Sequence, residues 1–377
     1  VNKRGFLKRA DRYFSDMDYW MLIPVLLITL IGLFVMNKVL LAGYGAGSYP
    51  ENFIKQFGAA TFGLLLALLV CMLDEPTLEL LGWFLYGLSC LLLVYEKIDS
   101  FSLKSLTGAD SWIRLPIIGS FQPSELAKIA IAIVAAGFFA RMKRGEEAPW
   151  HGFAKLGLCY GIPLLLIYME PDFGTAAVIV IMFLLTLFVW GVSWKIITAF
   201  AAAAFAGAPL LWIFFLSERQ KNRILLLLFP GQDMSESYHI DQAIKAVSSG
   251  GLLGNQSGID VHVPVKESDF IYSAIAEYLG FIGITILLIL VCIFLCRALQ
   301  VAWRASAEHL ESAYMMVALI ASMAFHFIEN MGMNVGLLPI TGIPLPFISN
   351  GGTSMLMNYF ALGLMLNVSM NLRALEG

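Results

Sequence analysis

The chain has 377 residues, 59% of them hydrophobic and only 14% charged, with a mean hydropathy of +0.78. That composition excludes a water-soluble globule and reads as an integral membrane protein. The net charge of −3, with basic residues scattered along the chain, excludes a nucleic-acid surface, and the five cysteines, all in apolar runs, suit buried thiols better than a disulfide framework or a zinc site.

Lys3, Arg4, Lys8, Arg9 and Arg12 precede an apolar run from Tyr19 to Leu41. This run is too long for a secretory signal and has no small-x-small cleavage site behind it, so it is expected to stay attached and span. A spanning helix takes about 20 mostly apolar residues. On that ruler ten are expected, at about 19–42, 55–73, 77–95, 122–141, 154–169, 173–192, 195–216, 270–296, 313–337 and 351–371. The predicted fold is all-α, a single polytopic domain over 1–377 with both termini on one side. Lysine and arginine in the short connections, above all the N-terminal cluster and 141–155, place that side in the cytoplasm. The stretches 43–53, 96–121 and 338–350 then lie outside, with a large loop, 218–269, between helices seven and eight. In that loop "ERQKNRILLLLFP" is too short to span and breaks at Pro230-Gly231, while Ile240, Ala243, Ile244 and Val247 share one face of a helix ending at Gly250-Gly251.

Charged residues within or beside spans are expensive and commonly mark sites. Pro123 suits the first turn of a helix, Glu125 then sits near its positive end, and Lys128 follows by three, so the two can pair. Both a helix-start ion pair and a lysine held beside an anionic ligand fit this pattern. Asp172, in "MEPDFGTAAV", reads as the N-cap of the next helix. Asp269 opens a span, where a cap and a working carboxylate are both open readings, whereas Glu277 lies roughly 12 Å further in by helical rise, beyond capping. His326, Glu329, Asn330 and Asn334 recur at near-helical spacing before a Gly/Pro-rich turn that leads to Ser349-Asn350-Gly351-Gly352. His326 alone reads as a satisfied core histidine. Irregular backbone at membrane depth requires burial in protein or contact with water, which a lined cavity would supply.

"FQPSELAK" (121–128), "PDFGTA" (171–176), "SYHIDQAIKAVSSGGLLG" (237–254), "SDFIYSAIAEYLGFIG" (268–283) and "GLLPITGIPLPFISNGGTSML" (336–356) together resemble, in order, the SEDS family of bacterial membrane proteins of shape, elongation, division and sporulation. The resemblance spans nearly the whole chain. It implies a ten-helix membrane fold with cytoplasmic termini, and a peptidoglycan glycosyltransferase that polymerises lipid II beside a class B penicillin-binding protein and other elongation or division proteins. It also implies that Asp269 is the essential aspartate, that Glu125 and Lys128 are the important pair of the fourth helix, and that Arg114 is the arginine after the loop tryptophan. The chain departs from the family at Ser268, Tyr278, Asn350 and Asp110-Ser111, and in a shortened Gly-rich link before the "DF" stretch. The loop around Trp112 is closer in look to the elongation type, and division and sporulation roles stay open.

The chemistry this implies is attack of a sugar hydroxyl on an anomeric carbon that carries a lipid pyrophosphate. Asp269 is the expected general base. Arg114 and Lys128, then Arg219 and Arg223, are expected to meet the developing phosphate charge, with Glu125 orienting Lys128. Glu277, Ser349 and Asn350 are further candidates for substrate contact. No nucleotide is needed, because the bond to pyrophosphate already carries the energy. A divalent cation, Mg2+ or Mn2+, is compatible with the pyrophosphate, but no cluster with metal spacing marks a site for it. A lipid II flippase and a non-catalytic scaffold are the alternative readings.

Overall fold

The computed structural model describes residues 15–43, 51–97, 112–115, 119–170, 172–214, 218–229 and 234–376. The N-terminal basic cluster, Pro171 and Pro230-Gly231 lie outside that set. In chain order the elements are α1 (Tyr19–Leu41), α2 (Glu51–Val70), α3 (Glu75–Tyr95), β1 (Ile113–Leu115), β2 (Gly119–Phe121), α4 (Pro123–Arg144), α5 (Pro149–Tyr168) and α6 (Phe173–Trp190). There follow α7 (Trp194–Phe214), α8 (Glu218–Leu228), α9 (Met234–Ser249), α10 (Ile271–Ala305), α11 (Leu310–Asn334) and α12 (Gly352–Glu376). Among the described residues, 9 helices are long and apolar enough to cross a membrane. The 21-residue α7 stands where the seventh span was expected. The strands were not expected: β1 and β2 form a small antiparallel hairpin, with Ile113 opposite Phe121 and Arg114 opposite Ser120.

The bundle is built around α4, whose most apolar stretch is 94% buried, far more than that of any neighbour. Ala127, Ala130, Ala132, Ala135, Ala136 and Ala140 keep its surface low enough for α3, α5, α6, α11 and α12 to approach it. Pro123 opens the helix, where a missing N–H costs nothing, and Gly145 closes it in the left-handed region at φ 75°. A central helix brings its first turn, with Glu125 and Lys128, into the protein interior. On either side, α1 packs along α10 and α2 along α12.

The eighth expected span is not one straight helix. Gly280 interrupts α10 at φ 65°, ψ −165°, a conformation open to glycine and closed to residues with a side chain. The backbone groups freed there are taken by the turn after α9: Phe281 and Ile282 N–H donate to the carbonyls of Gly251 (2.9 Å) and Leu252 (3.2 Å), and the Glu277 carbonyl accepts the Asn255 N–H (2.7 Å). The close approach depends on glycine on the other side as well, since a Cβ on Gly250 would lie 1.9 Å from the Ala276 carbonyl.

One expectation about cysteine is corrected. Cys71 and Cys159 are buried and Cys90 partly so, but Cys292 and Cys296 are exposed on α10. A helix facing lipid is apolar all round, so residing in an apolar run does not imply burial in protein.

Candidate functional site

Asp269 does not cap α10. The cap position is Phe270, which makes no side-chain cap hydrogen bond. Capping comes from α11 instead: Asn334 Oδ1 accepts the Ser273 N–H (3.0 Å), and Asn334 Nδ2 donates to the Asp269 carbonyl (3.1 Å). Asn330 Nδ2 donates to the same carbonyl (3.0 Å) and to Ile343 O (2.8 Å). Two asparagines one turn apart thus fix the Asp269 backbone and leave its carboxylate out of the cap. Burial pushes that carboxyl up to about 6, against the pull of Ser268 and Arg223, with Glu267 adding to the rise.

The turn after α11 closes over the same place. Ser349 Oγ donates to the Ser268 carbonyl (2.7 Å) and accepts the Leu345 N–H (2.8 Å), and Asn350 N–H donates to Glu267 O (3.0 Å). Gln56 of α2, which the sequence reading missed, donates to Ser349 O (2.9 Å) and accepts the Gly351 N–H (3.1 Å). Its signal was available: it is an amide in an apolar span, 1% exposed. Ser349, expected to touch substrate, is instead a buried tie between two backbone segments. Val265, at φ 53°, accepts from the Ser268 N–H (3.2 Å), a strained turn for a β-branched residue four positions before Asp269.

Glu125 and Lys128 pair as expected, at 2.7 Å, and the structure adds a third member. Lys128 Nζ lies 2.8 Å from His326 Nε2, and His326 Nδ1 lies 3.2 Å from Pro344 O. An ammonium has only donors, so Nε2 accepts and Nδ1–H donates to the carbonyl. His326 is the satisfied core histidine of the sequence reading, and its partners give it a use: the chain Glu125–Lys128–His326–Pro344 ties α4 to the turn beside Asp269. The cavity next to Lys128 measures about 20 Å³, enough for one water and not for a phosphate. In this arrangement the Lys128 ammonium is held between Glu125 and His326.

Glu277, the other acid singled out in the sequence, is engaged within the fold. Its carboxylate receives the Lys266 ammonium, the Val261 N–H (2.7 Å) and Asn255 Nδ2 (3.4 Å), and both Lys266 and Glu277 are fully buried. With its oxygens so engaged, it fastens the chain before Asp269 to α10 and has no room for a ligand. Asp172 is the N-cap of α6, accepting the Thr175 N–H (3.0 Å) and Gln122 Nε2 (3.1 Å).

Arg223 of α8 is brought to the site, where its charge acts on Asp269 and on Glu329 of α11. Arg114 lies on β1 and Arg219 in α8, and their side chains are outside what the structure describes. Among the described residues no group of three or more His, Cys, Asp and Glu is arranged to hold a metal ion. An apolar groove of about 400 Å³ runs between α2, α3, α4 and α12, lined by Leu69, Leu73, Leu81, Leu85, Leu126 and Phe360.

The profile of the FtsW, RodA and SpoVE family, described as cell cycle protein, matches residues 18–374. The chain is 32% identical over 354 residues to peptidoglycan glycosyltransferase MrdB of Escherichia coli K12, covering 92% of each chain. Among solved structures, it is similar to one of a peptidoglycan synthase complex that coordinates polymerization and crosslinking, with a TM-score of 0.78 and 27% identity over 94% of this chain and 98% of that one. It is also similar to the rod shape determining protein RodA of Thermus thermophilus, with a TM-score of 0.67 and 27% identity over 94% of this chain and 96% of that one.

Proposed function

The chain belongs to the FtsW, RodA and SpoVE family, and we propose that it works as a peptidoglycan glycosyltransferase joining lipid II units into glycan strands, with Asp269 as general base. The observation that carries this reading is the state of Asp269: backbone held by Asn330 and Asn334, carboxylate spared from capping, and proton affinity raised by burial to about 6. A base is most effective when its pKa lies near the working pH, and burial moves a carboxylate in that direction.

In the transfer, the acceptor hydroxyl gives its proton to Asp269 as its oxygen bonds to the anomeric carbon. The bond from that carbon to the phosphate oxygen breaks, and its electron pair leaves on the lipid pyrophosphate. Arg223, whose charge already acts on Asp269, is the described cation best placed to meet that charge. Arg114 and Arg219 remain candidates for the same work. Lys128 and Glu125 act at one remove, by holding His326 and the 341–345 turn in register. The lipid chain would lie in the apolar groove between α2, α3, α4 and α12, which is long on leucine and has no polar lining.

The lysine and arginine pattern supports cytoplasmic termini, which puts Asp269 at the outer face of the bacterial cytoplasmic membrane, where a lipid-linked glycan precursor is polymerised. The likeness to a synthase complex that couples polymerization to crosslinking supports a class B penicillin-binding protein as partner. The stretch around Trp112 favours the elongation branch.

The test is polymerisation of purified lipid II by the detergent-solubilised protein with a cognate class B penicillin-binding protein. The reading requires that wild type makes polymer and that Asp269→Asn makes none while still binding lipid II. Polymer from the variant would remove Asp269 as the base, and no polymer from wild type would return the weight to a flippase or a scaffold.

A further inference from the structure

A second cleft, of about 310 Å³, lies away from the glycosyl-transfer site. Its floor is the last turns of α4, and its walls are the first turns of α3 and α11, which both pack on α4. Arg141 follows Lys128 by thirteen positions on α4, roughly 20 Å by helical rise, so the cleft stands at the membrane interface opposite to Asp269. Its lining is sorted by chemistry. Toward the helix ends stand one cation, Arg141, and three carboxylates, Glu75 and Glu79 one turn apart on α3 and Glu311 on α11. One to two turns further into the spans the lining is Trp83, Ile133, Val134 and Met315.

The Arg141 guanidinium is held in place while its donors stay available. Its ion pairs with Glu79 (3.9 Å) and Glu147 (3.8 Å) are longer than hydrogen bonds. It rests on the Phe138 ring, 5.0 Å from the centroid, and Trp83 meets the same ring edge-on at 5.9 Å. The side chain folds back over Gly137, where a Cβ would stand 3.5 Å from Nη1, and this brings the charge inward from the helix end. Glu75 and Glu311 already pair with His309 (3.1 Å) and Arg144 (2.7 Å), which leaves Glu79 as the principal acceptor in the cleft.

We propose that this cleft binds one zwitterionic aminophospholipid, with its phosphate on Arg141, its ammonium on Glu79 and the neighbouring carboxylates, and an acyl chain along Trp83, Ile133, Val134 and Met315. The site does not depend on the role of Asp269. A simple anion would meet three carboxylates and a simple cation would meet the guanidinium, whereas a headgroup with both charges is attracted by both. A primary ammonium offers three donors to the carboxylates, and a trimethylammonium offers none. A glycerol headgroup leaves the phosphate charge uncompensated beside three acids. Arginine and tryptophan at an interface, with apolar residues beneath them, match an amphiphile whose head lies at the surface and whose tail lies in the core.

The test is lipid retention by the detergent-solubilised full chain, read by native mass spectrometry after exchange with phosphatidylethanolamine, phosphatidylcholine or phosphatidylglycerol of one acyl composition. Wild type should keep one phosphatidylethanolamine at least about tenfold more tightly than either of the others, the scale of one charge-assisted hydrogen bond. Arg141→Gln should lose that tight lipid. Glu79→Gln, at a side chain 68% exposed where the fold is spared, should bind it without preferring ethanolamine to choline. Lys195→Gln, at an exposed position on α7, should keep the wild-type preference. Equal retention of the three lipids by wild type, or tightest retention of either of the other two, overturns the proposal without any variant. A preference that survives both cleft variants, or that Lys195→Gln abolishes equally, overturns it as well. If no lipid is kept and Glu79→Gln loses a cognate class B penicillin-binding protein on co-purification, the cleft is a protein interface and the lipid site is wrong.

Discussion

Two acids only eight positions apart in the chain, Glu277 buried and Asp269 half-buried, behave differently. Glu277 is fully enclosed, with Lys266, Val261 and Asn255 supplying donors to its carboxylate. Asp269 has its backbone tightly held, yet its carboxylate is left out of the cap and is raised to about 6 by burial. What separates a fold element from a working group here is whether its lone pairs are already taken. Proximity to the same loop is common to both.

The largest effect expected on this contrast is Asp269→Asn, which should reduce lipid II polymerisation at least about 100-fold, the usual scale of a lost general base. The wild-type rate should fall as pH drops through about 6, because protonation of Asp269 removes the base. Full activity retained at pH 5 would contradict that. Next comes Glu277→Gln, which strands the Lys266 charge in the interior and should cost about 3–5 kcal/mol of stability, seen as a lower melting temperature in detergent. If Glu277 were instead a ligand, the variant would melt normally and lose only activity. Ser349→Ala leaves the Leu345 N–H without its acceptor and should cost about 1–3 kcal/mol, with a several-fold loss of rate through a displaced Asp269.

The smallest effect concerns the far end of the bundle, where Asp18 joins α1 to α10 and α12 through Arg297 (2.9 Å), Ser369 (2.6 Å) and Arg373 (3.5 Å). Burial raises its pKa, but the hydrogen bonds of Arg297 and Ser369 and the charges of Arg297 and Arg373 prevail, and the folded value lies below the ordinary 3.8. Its contribution to stability is therefore complete above pH 3.8 and lost as pH falls through the folded value. The difference in melting temperature between wild type and Asp18→Asn should shrink over that acid range, and a constant difference would count against the assignment.

Much of this was legible because membrane physics writes simple rules into sequence. Span length gave the helices, Pro123 the start of α4, and Gly250 the end of α9. The spacing of Glu125 and Lys128 gave their pair, and Asp172 read as a cap because it stands in a tight turn just before the next apolar run. Gln56 and Glu329 were visible as polar residues in apolar runs, but a single span does not reveal which neighbour such a group will meet. Asn334 as the cap of another helix left no local signal at all.

The sequence by itself determined that this chain crosses a membrane many times, that it belongs with the cell-wall polymerases in its motifs, and that Asp269 is the carboxylate to watch. Those properties depend on residue type and short-range spacing. Only the tertiary structure decided that Glu277 is engaged by Lys266, that Lys128 is closed in by His326, and that Asn330 and Asn334 hold the Asp269 backbone. Whether a buried charge is satisfied depends on partners that arrive from 11 to 198 positions away along the chain, and packing alone chooses them.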